Sequence, residues 1–362
     1  MSKLGISIYP EHSTLEQDKA YIKLAADCGF QSIFSCLLSV DDEHLEETKA
    51  ELKELCAYAK EHGMEVTLDV APHIFQKLGI TYEDLRFFHE VGAKGIRLDE
   101  GFDCHKEAVM SYNPYGLNIV INASAGTKYL DHIMSYQANR NGLVACHNFY
   151  PQTYTGLSMS HFMRCNEDLK KLQMPIGAFV SSQAENTYGP WPVYEGLCTL
   201  EEHRNLPLDV QVRHLQAMGT IDEILIGNAY ATKDELEAIA KIDSRILTFK
   251  LQLEDHLSEV EQTIIFEHPH HVRGDMSAYM ARSTMPRITY AKESVPVGNT
   301  RDLKRGDVVV INDRYGRYKG ELHIVLEDMP NKGDKNVVGT IPANEMMLLE
   351  YLLPWRPFTF IK

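Results

Sequence analysis

The sequence predicts an α/β protein: a TIM (β/α)8 barrel in residues 1–244, followed by a small β-rich domain in residues 245–362. Three observations support this fold class. Eight units, each a strand-like run followed by a segment of helical periodicity, fit into the first 244 residues, which is the size and order of a TIM barrel. Glycine recurs where a helix should return to a strand, as at Gly63 and Gly92. After Arg245 the pattern changes to alternating, strand-like segments.

The eight predicted units follow one another without a long interruption. The strands are expected at residues 4–9, 32–38, 65–71, 95–100, 118–123, 143–149, 175–181 and 223–229. The helices are expected at about residues 14–28, 45–62, 81–91, 103–111, 127–139, 158–172, 207–218 and 233–242. A doubly wound open sheet is the main alternative, but no GxGxxG sequence follows the first strand.

The second part of the chain is predicted to be a small barrel or sandwich. Its strands are expected at residues 245–253, 262–267, 307–312 and 321–326, with a short helical segment around residues 343–347. No low-complexity linker separates the two parts, which predicts a firm contact between the domains.

Composition excludes several classes of function. The net charge of −15 disfavours nucleic acid and anionic membranes as partners, and no apolar run is long enough for a membrane helix. The whole negative excess lies in residues 1–244, because residues 245–362 hold 16 basic and 16 acidic residues. The seven cysteines form no CxxC pair, and no signal peptide precedes the first strand, which predicts a reduced, cytoplasmic protein.

Strand alternation identifies a candidate catalytic pair. In the third and fourth strands the polar residues Asp69, Arg97 and Asp99 share the inward parity. Asp69 and Asp99 should therefore project into the barrel mouth from adjacent strand ends, where TIM barrels place their active sites. Two carboxylates that face one cavity are what glycosidic-bond cleavage requires. The alternative is a structural ion network of Asp69, Arg97 and Asp99.

Other polar residues at the strand ends are candidates for the same site. Glu11, Glu100 and Glu185 are loop carboxylates, and Glu11 is included among the catalytic candidates. The candidates for substrate binding are Arg97, Asn122, His147, Asn148, Tyr150 and Asn228. A buried, hydrogen-bonded cluster without a ligand is the alternative interpretation of the run His147 to Tyr150.

The β-rich domain offers a candidate anion site. Arg273, Arg282 and Ser283 lie within a short, arginine-rich segment, and guanidinium groups bind phosphate or carboxylate in a bidentate manner. A surface salt-bridge patch is the alternative. We expect this domain to close over the barrel mouth, because it is neutral while the barrel is acidic. His268, His270 and His271 have no evident further ligand, so no metal site is predicted.

Four segments carry a resemblance to a known family: LGISIYPE at residues 4–11, RLDEGF at 97–102, CHNFYP at 146–151 and IGNAYA at 226–231. They resemble the 6-phospho-N-acetylmuramidases, bacterial proteins once labelled "outer surface protein", in which a TIM barrel precedes a cyclophilin-like domain. The resemblance spans essentially the whole chain. It implies a cytosolic glycosidase of peptidoglycan recycling that hydrolyses the β-1,4 bond between 6-phospho-N-acetylmuramic acid and N-acetylglucosamine, without a cofactor. The implied partner is a small anionic phosphosugar, and a homo-oligomer is compatible with the sequence.

Two other functions remain open from the residues alone. A TIM barrel with inward Asp, Arg, Asn and His also suits a phosphosugar lyase or isomerase. No lysine is evident at a strand end to form a Schiff base, which disfavours an aldolase. The same polar mouth would also suit a protein that binds a sugar phosphate without turnover.

Overall fold

A computed structural model describes residues 2–37 and 45–362. The chain divides into two compact units, Met1–Lys241 and Ile242–Lys362. This division falls three residues before the predicted start of the second domain at Arg245.

The first unit is a closed barrel of eight parallel strands, which confirms the predicted fold class. Each strand pairs with the next in the chain, and the first also pairs with the eighth, with Gly5 opposite Leu225. The strands are β1 Lys3–Ile8, β2 Ser32–Leu37, β3 Glu65–Val70, β4 Gly95–Leu98, β5 Asn118–Asn122, β6 Leu143–Cys146, β7 Ile176–Val180 and β8 Glu223–Ile226.

Nine helices follow the strands within the described part of this unit. They are α1 Leu15–Asp27, α2 Leu45–Glu61, α3 Pro72–Lys77, α4 Arg86–Val91, α5 His105–Met110, α6 Tyr129–Ser135, α7 Met159–Lys171, α8 Leu208–Met218 and α9 Lys233–Ala240. The prediction of one helix over residues 81–91 is wrong in part: α4 is shorter, and α3 begins directly after β3, where Pro72 occupies a first-turn position that suits proline. No helix in the described ranges is long and apolar enough to cross a membrane.

Alternation along the strands separates the barrel interior from the helix-facing layer. Ile6 and Ile8 of β1 are fully buried, whereas Tyr9 belongs to the cluster that also contains Phe34, Phe179 and Leu225 from the other strands. Because this apolar cluster fills the interior, the barrel is a packed core rather than a pore. Polar side chains with access to solvent therefore lie at the two ends of the barrel, such as Lys3 and Glu65 at the amino ends of the strands and Asp99 just beyond the carboxyl end of β4.

The second unit is β-rich, as predicted, and contains two sheets. One has the order β10-β15-β13-β14-β12 and the other the order β11-β16-β9. The strands are β9 Leu247–Lys250, β10 Gln252–Leu253, β11 His270–His271, β12 Met280–Ser283, β13 Asp307–Ile311, β14 Leu322–Val325, β15 Lys335–Thr340 and β16 Pro357–Ile361. The helices are α10 Glu259–Phe266 and α11 Pro286–Thr289.

The strand predicted at residues 262–267 is wrong, because this segment belongs to helix α10. Ser258 caps that helix: its side chain accepts from the backbone of Glu261, whose own carboxylate accepts from the Ser258 backbone. This capping box begins a helix that buries Ile264 and Ile265. The short apolar run that suggested a strand is compatible with either structure until the cap is considered.

Candidate active site

The ends of β3 and β4 bring the predicted catalytic pair together. Asp69 and Arg97 are direct partners in the register of these two strands, so their side chains emerge side by side from one layer of the barrel. Each residue is 4% exposed, although each carries an ionisable group. Burial of this kind requires a partner of opposite charge, and the two side chains supply it for each other.

A network of four strand-end residues consists of Arg97 and its partners Asp69, Asp99 and Asn148. Arg97 Nη1 lies 2.6 Å from Asp69 Oδ1 and 3.3 Å from Asp99 Oδ1. Arg97 Nη2 donates to Asn148 Oδ1. The structural ion network weighed as an alternative to catalysis therefore forms. This network is compatible with catalysis, because the same guanidinium holds two carboxylates in position at the barrel mouth.

The two carboxylates differ in access to solvent. The side chain of Asp99 is 47% exposed, whereas that of Asp69 is enclosed. Because both oxygens contact the same nitrogen, Asp69 Oδ1 and Asp99 Oδ1 are at most 5.9 Å apart. This limit, which applies to one oxygen of each carboxylate, is compatible with the separation of about 5–5.5 Å between the carboxyl groups of retaining glycosidases.

Burial and charge act in opposite directions on this network. Burial raises the pKa of Asp69, and the adjacent Arg97 acts to lower it. Burial also disfavours the charged form of Arg97, but Asp69 and Asp99 together hold the pKa of the guanidinium above its ordinary value. Arg97 is therefore a permanent cation in this layer of the barrel.

Glu11 lies in the same electrostatic neighbourhood. It belongs to a 3₁₀ turn, Pro10–His12, that directly follows β1. Burial raises the pKa of the Cys36 thiol, and the charges that act on this thiol include Asp69, Arg97, Asp99 and Glu11. Glu11 thus acts on the same thiol as the three charged residues of the network. Glu100 and Glu185 are exposed loop residues.

Two cavities open among the strand-end loops of the barrel. One, of about 240 Å³, is lined by Asp99, Phe102, Asn122 and Tyr129. Asn122 is half-buried, and its Oδ1 accepts from the backbone of Ser124, which leaves its Nδ2 as the donor end.

The second cavity, of about 450 Å³, lies among the loops that follow β6, β7 and β8. Its lining includes Glu185, Tyr188, Tyr194 and Asn228. The ring of Tyr188 lies 5.3 Å from that of Tyr230, and Tyr194 is 91% exposed. Aromatic faces of this kind offer large apolar contact surfaces with polar tips.

The sequence analysis did not identify Tyr188 or Tyr230 as site residues. The segment between β7 and α8 is unusually long for a βα loop, and this length is the sequence feature that indicated Tyr188. Tyr230 also has a positive φ of 65°, a conformation uncommon for a residue with a side chain.

His147 lies in a buried, hydrogen-bonded cluster directly after β6. His147 is fully buried, with its ring between Ser124 Oγ at 3.2 Å and Asn166 Oδ1 at 2.8 Å. Burial lowers its pKa to about 4. β6 ends at Cys146, so the strand alternation no longer applies to His147, and its contact with substrate stays a prediction.

Asn228 and Tyr150 form hydrogen bonds with the loops at the carboxyl ends of the strands. The amide of Asn228 accepts from the Ser182 backbone N–H and donates to the Ser182 carbonyl, so it ties the end of β7 to the loop after β8. Tyr150 is half-buried, and its backbone N–H donates to the Cys198 carbonyl. Asn228 is 4% exposed and lines the cavity of about 450 Å³, and its contact with substrate stays a prediction.

The arginine-rich segment of the second unit forms a charged patch. Arg273 Nε donates to Asp275, and Arg282 Nη2 lies 3.4 Å from the same carboxylate and donates to the Asp275 carbonyl at 3.0 Å. One carboxylate thus faces two guanidinium groups. Ser283 is 1% exposed and hydrogen-bonded to His270 Nδ1 at 2.9 Å. Alternation along β12 turns Ser283 inward, and its contact with an anion stays a prediction.

Comparison with known proteins assigns the chain to a family. Residues 4–241 match the family described as 6-phospho-N-acetylmuramidase, N-terminal, and residues 247–361 match its C-terminal counterpart. A crystal structure of an uncharacterised B. cereus protein is 48% identical with a TM-score of 0.92, and the match covers 100% of both chains. A conserved Enterococcus faecalis protein of unknown function is 25% identical with a TM-score of 0.76, over 100% of this chain and 96% of that one. No curated protein matches. The chain belongs to the 6-phospho-N-acetylmuramidase family, whose activity is that of a glycoside hydrolase.

Proposed function

We propose that this protein hydrolyses the β-1,4 bond between 6-phospho-N-acetylmuramic acid and N-acetylglucosamine, in the cytoplasm, during peptidoglycan recycling. The observation that carries the proposal is the pair of carboxylates held by one guanidinium at the mouth of a barrel of this family. The phosphosugar lyase or isomerase and the silent binding protein lose support, because the family is named for a hydrolytic activity.

Asp99 is the carboxylate that meets the sugar in this proposal. It is exposed, lines a cavity and is positioned by Arg97. Asp69 is the general acid: at rest it is the ionised partner of Arg97, and burial, which raises its pKa, favours uptake of the proton that it later donates. Its enclosure makes Glu11, which is more exposed, the alternative acid to be tested beside it.

The short separation of Asp69 and Asp99 favours a retaining reaction in two steps. In the first, an Asp99 oxygen forms a bond to the anomeric carbon while the C–O bond to N-acetylglucosamine breaks. The acid gives its proton to the departing oxygen. In the second, water attacks the anomeric carbon, its proton returns to the acid, and the bond to Asp99 breaks. Retention of configuration is the expected outcome.

The cavities and the second domain supply the remaining contacts. The donor end of Asn122 faces sugar hydroxyls, and Tyr188 and Tyr194 offer faces on which a sugar ring packs. Arg282, with Arg273 beside it, binds the 6-phosphate, since Asp275 offsets only one of the two positive charges.

The test is turnover by the purified protein, followed by proton NMR of the sugar products. We expect release of N-acetylglucosamine and, in the first minutes, 6-phospho-N-acetylmuramic acid in the β-anomeric form. An initial α-anomer would exclude the retaining pair, and an isomerised or eliminated product would assign a different reaction. Binding without turnover would contradict the proposal as a whole.

A further inference from the structure

A fully buried carboxylate lies next to the segment that carries Asp99. Glu107 belongs to the first turn of α5 and is 0% exposed. Its Oε1 accepts two hydrogen bonds of 2.5 Å, one from the backbone N–H of Phe102 and one from the hydroxyl of Tyr129. A single oxygen of Glu107 therefore joins the loop after β4 to the first residue of α6.

This carboxylate is costly to bury. The two donors that reach Oε1 carry no charge, and the other oxygen, Oε2, is enclosed without a hydrogen-bond partner among the described residues. A carboxylate buried in this way disfavours folding more than an apolar side chain of similar size would. A contribution to stability therefore does not explain Glu107, and its two hydrogen bonds indicate a role in holding the geometry of the loop.

Tyr129 links Glu107 to the cavity beside Asp99. It lines the cavity of about 240 Å³, together with Asp99, Gly101 and Phe102. Burial and the Glu107 carboxylate raise the pKa of the Tyr129 hydroxyl, which therefore keeps its proton and remains the donor. A Cβ at residue 101 would collide with this hydroxyl, so glycine allows the loop to approach Tyr129 closely.

The segment of residues 99–102 is held at both of its ends. Arg97 Nη1 lies 3.3 Å from Asp99 Oδ1, and Glu107 accepts from the Phe102 N–H three residues later. The side chain of Asp99 is 47% exposed, so packing alone does not fix its direction. The position of its carboxylate therefore depends on the backbone of this segment.

We propose that Glu107 and Tyr129 are positioning residues, which hold residues 99–102 in the conformation that directs the Asp99 carboxylate at the sugar. This inference rests on the proposed function, in which Asp99 meets the anomeric carbon. Glu107 is enclosed and acts through the loop and through Tyr129. A displacement of about 1 Å at a reacting group lowers a rate by about 10²-fold, so the loss of either hydrogen bond should be visible in kcat.

The first test needs no substrate and measures hydrogen–deuterium exchange of the Phe102 amide in the full chain, by mass spectrometry with fragmentation to single residues. Glu107→Leu removes the acceptor, and the Phe102 amide should then exchange faster by at least about tenfold, as expected for the loss of a hydrogen bond to a charged group. Tyr129→Phe removes one hydroxyl and should act in the same direction. Tyr112→Phe is the matched control: this hydroxyl also donates at 2.6 Å, to the Gln137 carbonyl, but on the surface, and its loss should leave the Phe102 amide unchanged.

The second test separates positioning from stability and from contact with substrate. Tyr129→Phe should lower kcat for the disaccharide by about 10- to 100-fold, while KM and the melting temperature stay near the wild-type values. A lost contact with substrate would raise KM instead, and a purely structural role would lower the melting temperature without a fall in kcat. Glu107→Gln keeps an acceptor oxygen and should restore most of the activity that Glu107→Leu loses.

Unchanged exchange of the Phe102 amide in both Glu107→Leu and Tyr129→Phe, or an unchanged kcat in Tyr129→Phe, would overturn the proposal. If Glu107→Leu does not fold, Tyr129→Phe decides both tests alone. A wild type that fails to hydrolyse the disaccharide would refute the proposed function, whereas the exchange of the Phe102 amide would still decide whether Glu107 and Tyr129 hold the segment.

Discussion

Replacing Arg97 by Met should destabilise the barrel strongly, because the enclosed Asp69 then loses the guanidinium that lies 2.6 Å from it. Breaking one side of a buried ion pair costs about 3–5 kcal/mol, since the remaining charge stays out of water. In a domain of this size, each kcal/mol lowers the melting temperature by roughly 2–4 °C, so the expected loss is roughly 6–20 °C. Differential scanning calorimetry of the full chain measures it.

The double variant Asp69→Leu/Arg97→Met tests the physical reason. With both charges gone, apolar groups of similar volume fill the layer, and most of the lost stability should return. Arg245→Met is the matched control: Arg245 also pairs with an aspartate, Asp243 at 2.7 Å, but on the surface, and its loss should leave the melting temperature unchanged. A double variant no more stable than Arg97→Met would refute the buried-pair reasoning.

Two further predictions concern pH and the phosphate. Burial lowers the pKa of His147 and of His270 to about 4, so the unfolded chain takes up protons first as the pH falls below about 6.5. Each buried, neutral histidine stabilises the folded state fully above about pH 6.5, and this contribution is lost as the pH falls through about 4. The free energy of unfolding should drop by about 3 kcal/mol per histidine, and His147→Gln should flatten this slope in a pH series of thermal melts. Arg282→Ala should raise KM for the phosphorylated disaccharide by roughly 10- to 150-fold, the value of one charge-assisted hydrogen bond of about 1.5–3 kcal/mol, and barely affect the dephosphorylated one. An unchanged ratio of kcat/KM for the two substrates would show that Arg282 does not bind the phosphate.

The strands and most helices of the barrel were predictable, because the periodicity of apolar residues and the residues that form turns are properties of short segments. All eight barrel strands were expected close to their observed positions, and the inward parity of Asp69 and Arg97 followed from alternation within β3 and β4. Alternation failed for His147, one residue beyond the end of β6, where nothing in the sequence states which way the chain turns.

Contacts between distant segments were not predictable in the same way. Arg282 and Ser283 are neighbours in β12, so the strand sends one outward and the other inward, which the composition of the segment alone did not indicate. Glu107 and Tyr129 are 22 residues apart in two helices, without a motif spacing. Only the packing of α6 beside α5 brings the hydroxyl to the carboxylate.

Hydrolysis by the strand-end carboxylates is tested most directly by kcat of Asp99→Asn on 6-phospho-N-acetylmuramyl-N-acetylglucosamine. The control is Asp103→Asn, an exposed aspartate paired with Lys106 at 3.1 Å outside the network. With folding verified by an unchanged melting temperature, Asp99→Asn should lower kcat by at least about 10²-fold, and Asp103→Asn should leave it as in the wild type. A near-normal kcat for Asp99→Asn would contradict the assignment and transfer the role to Glu11.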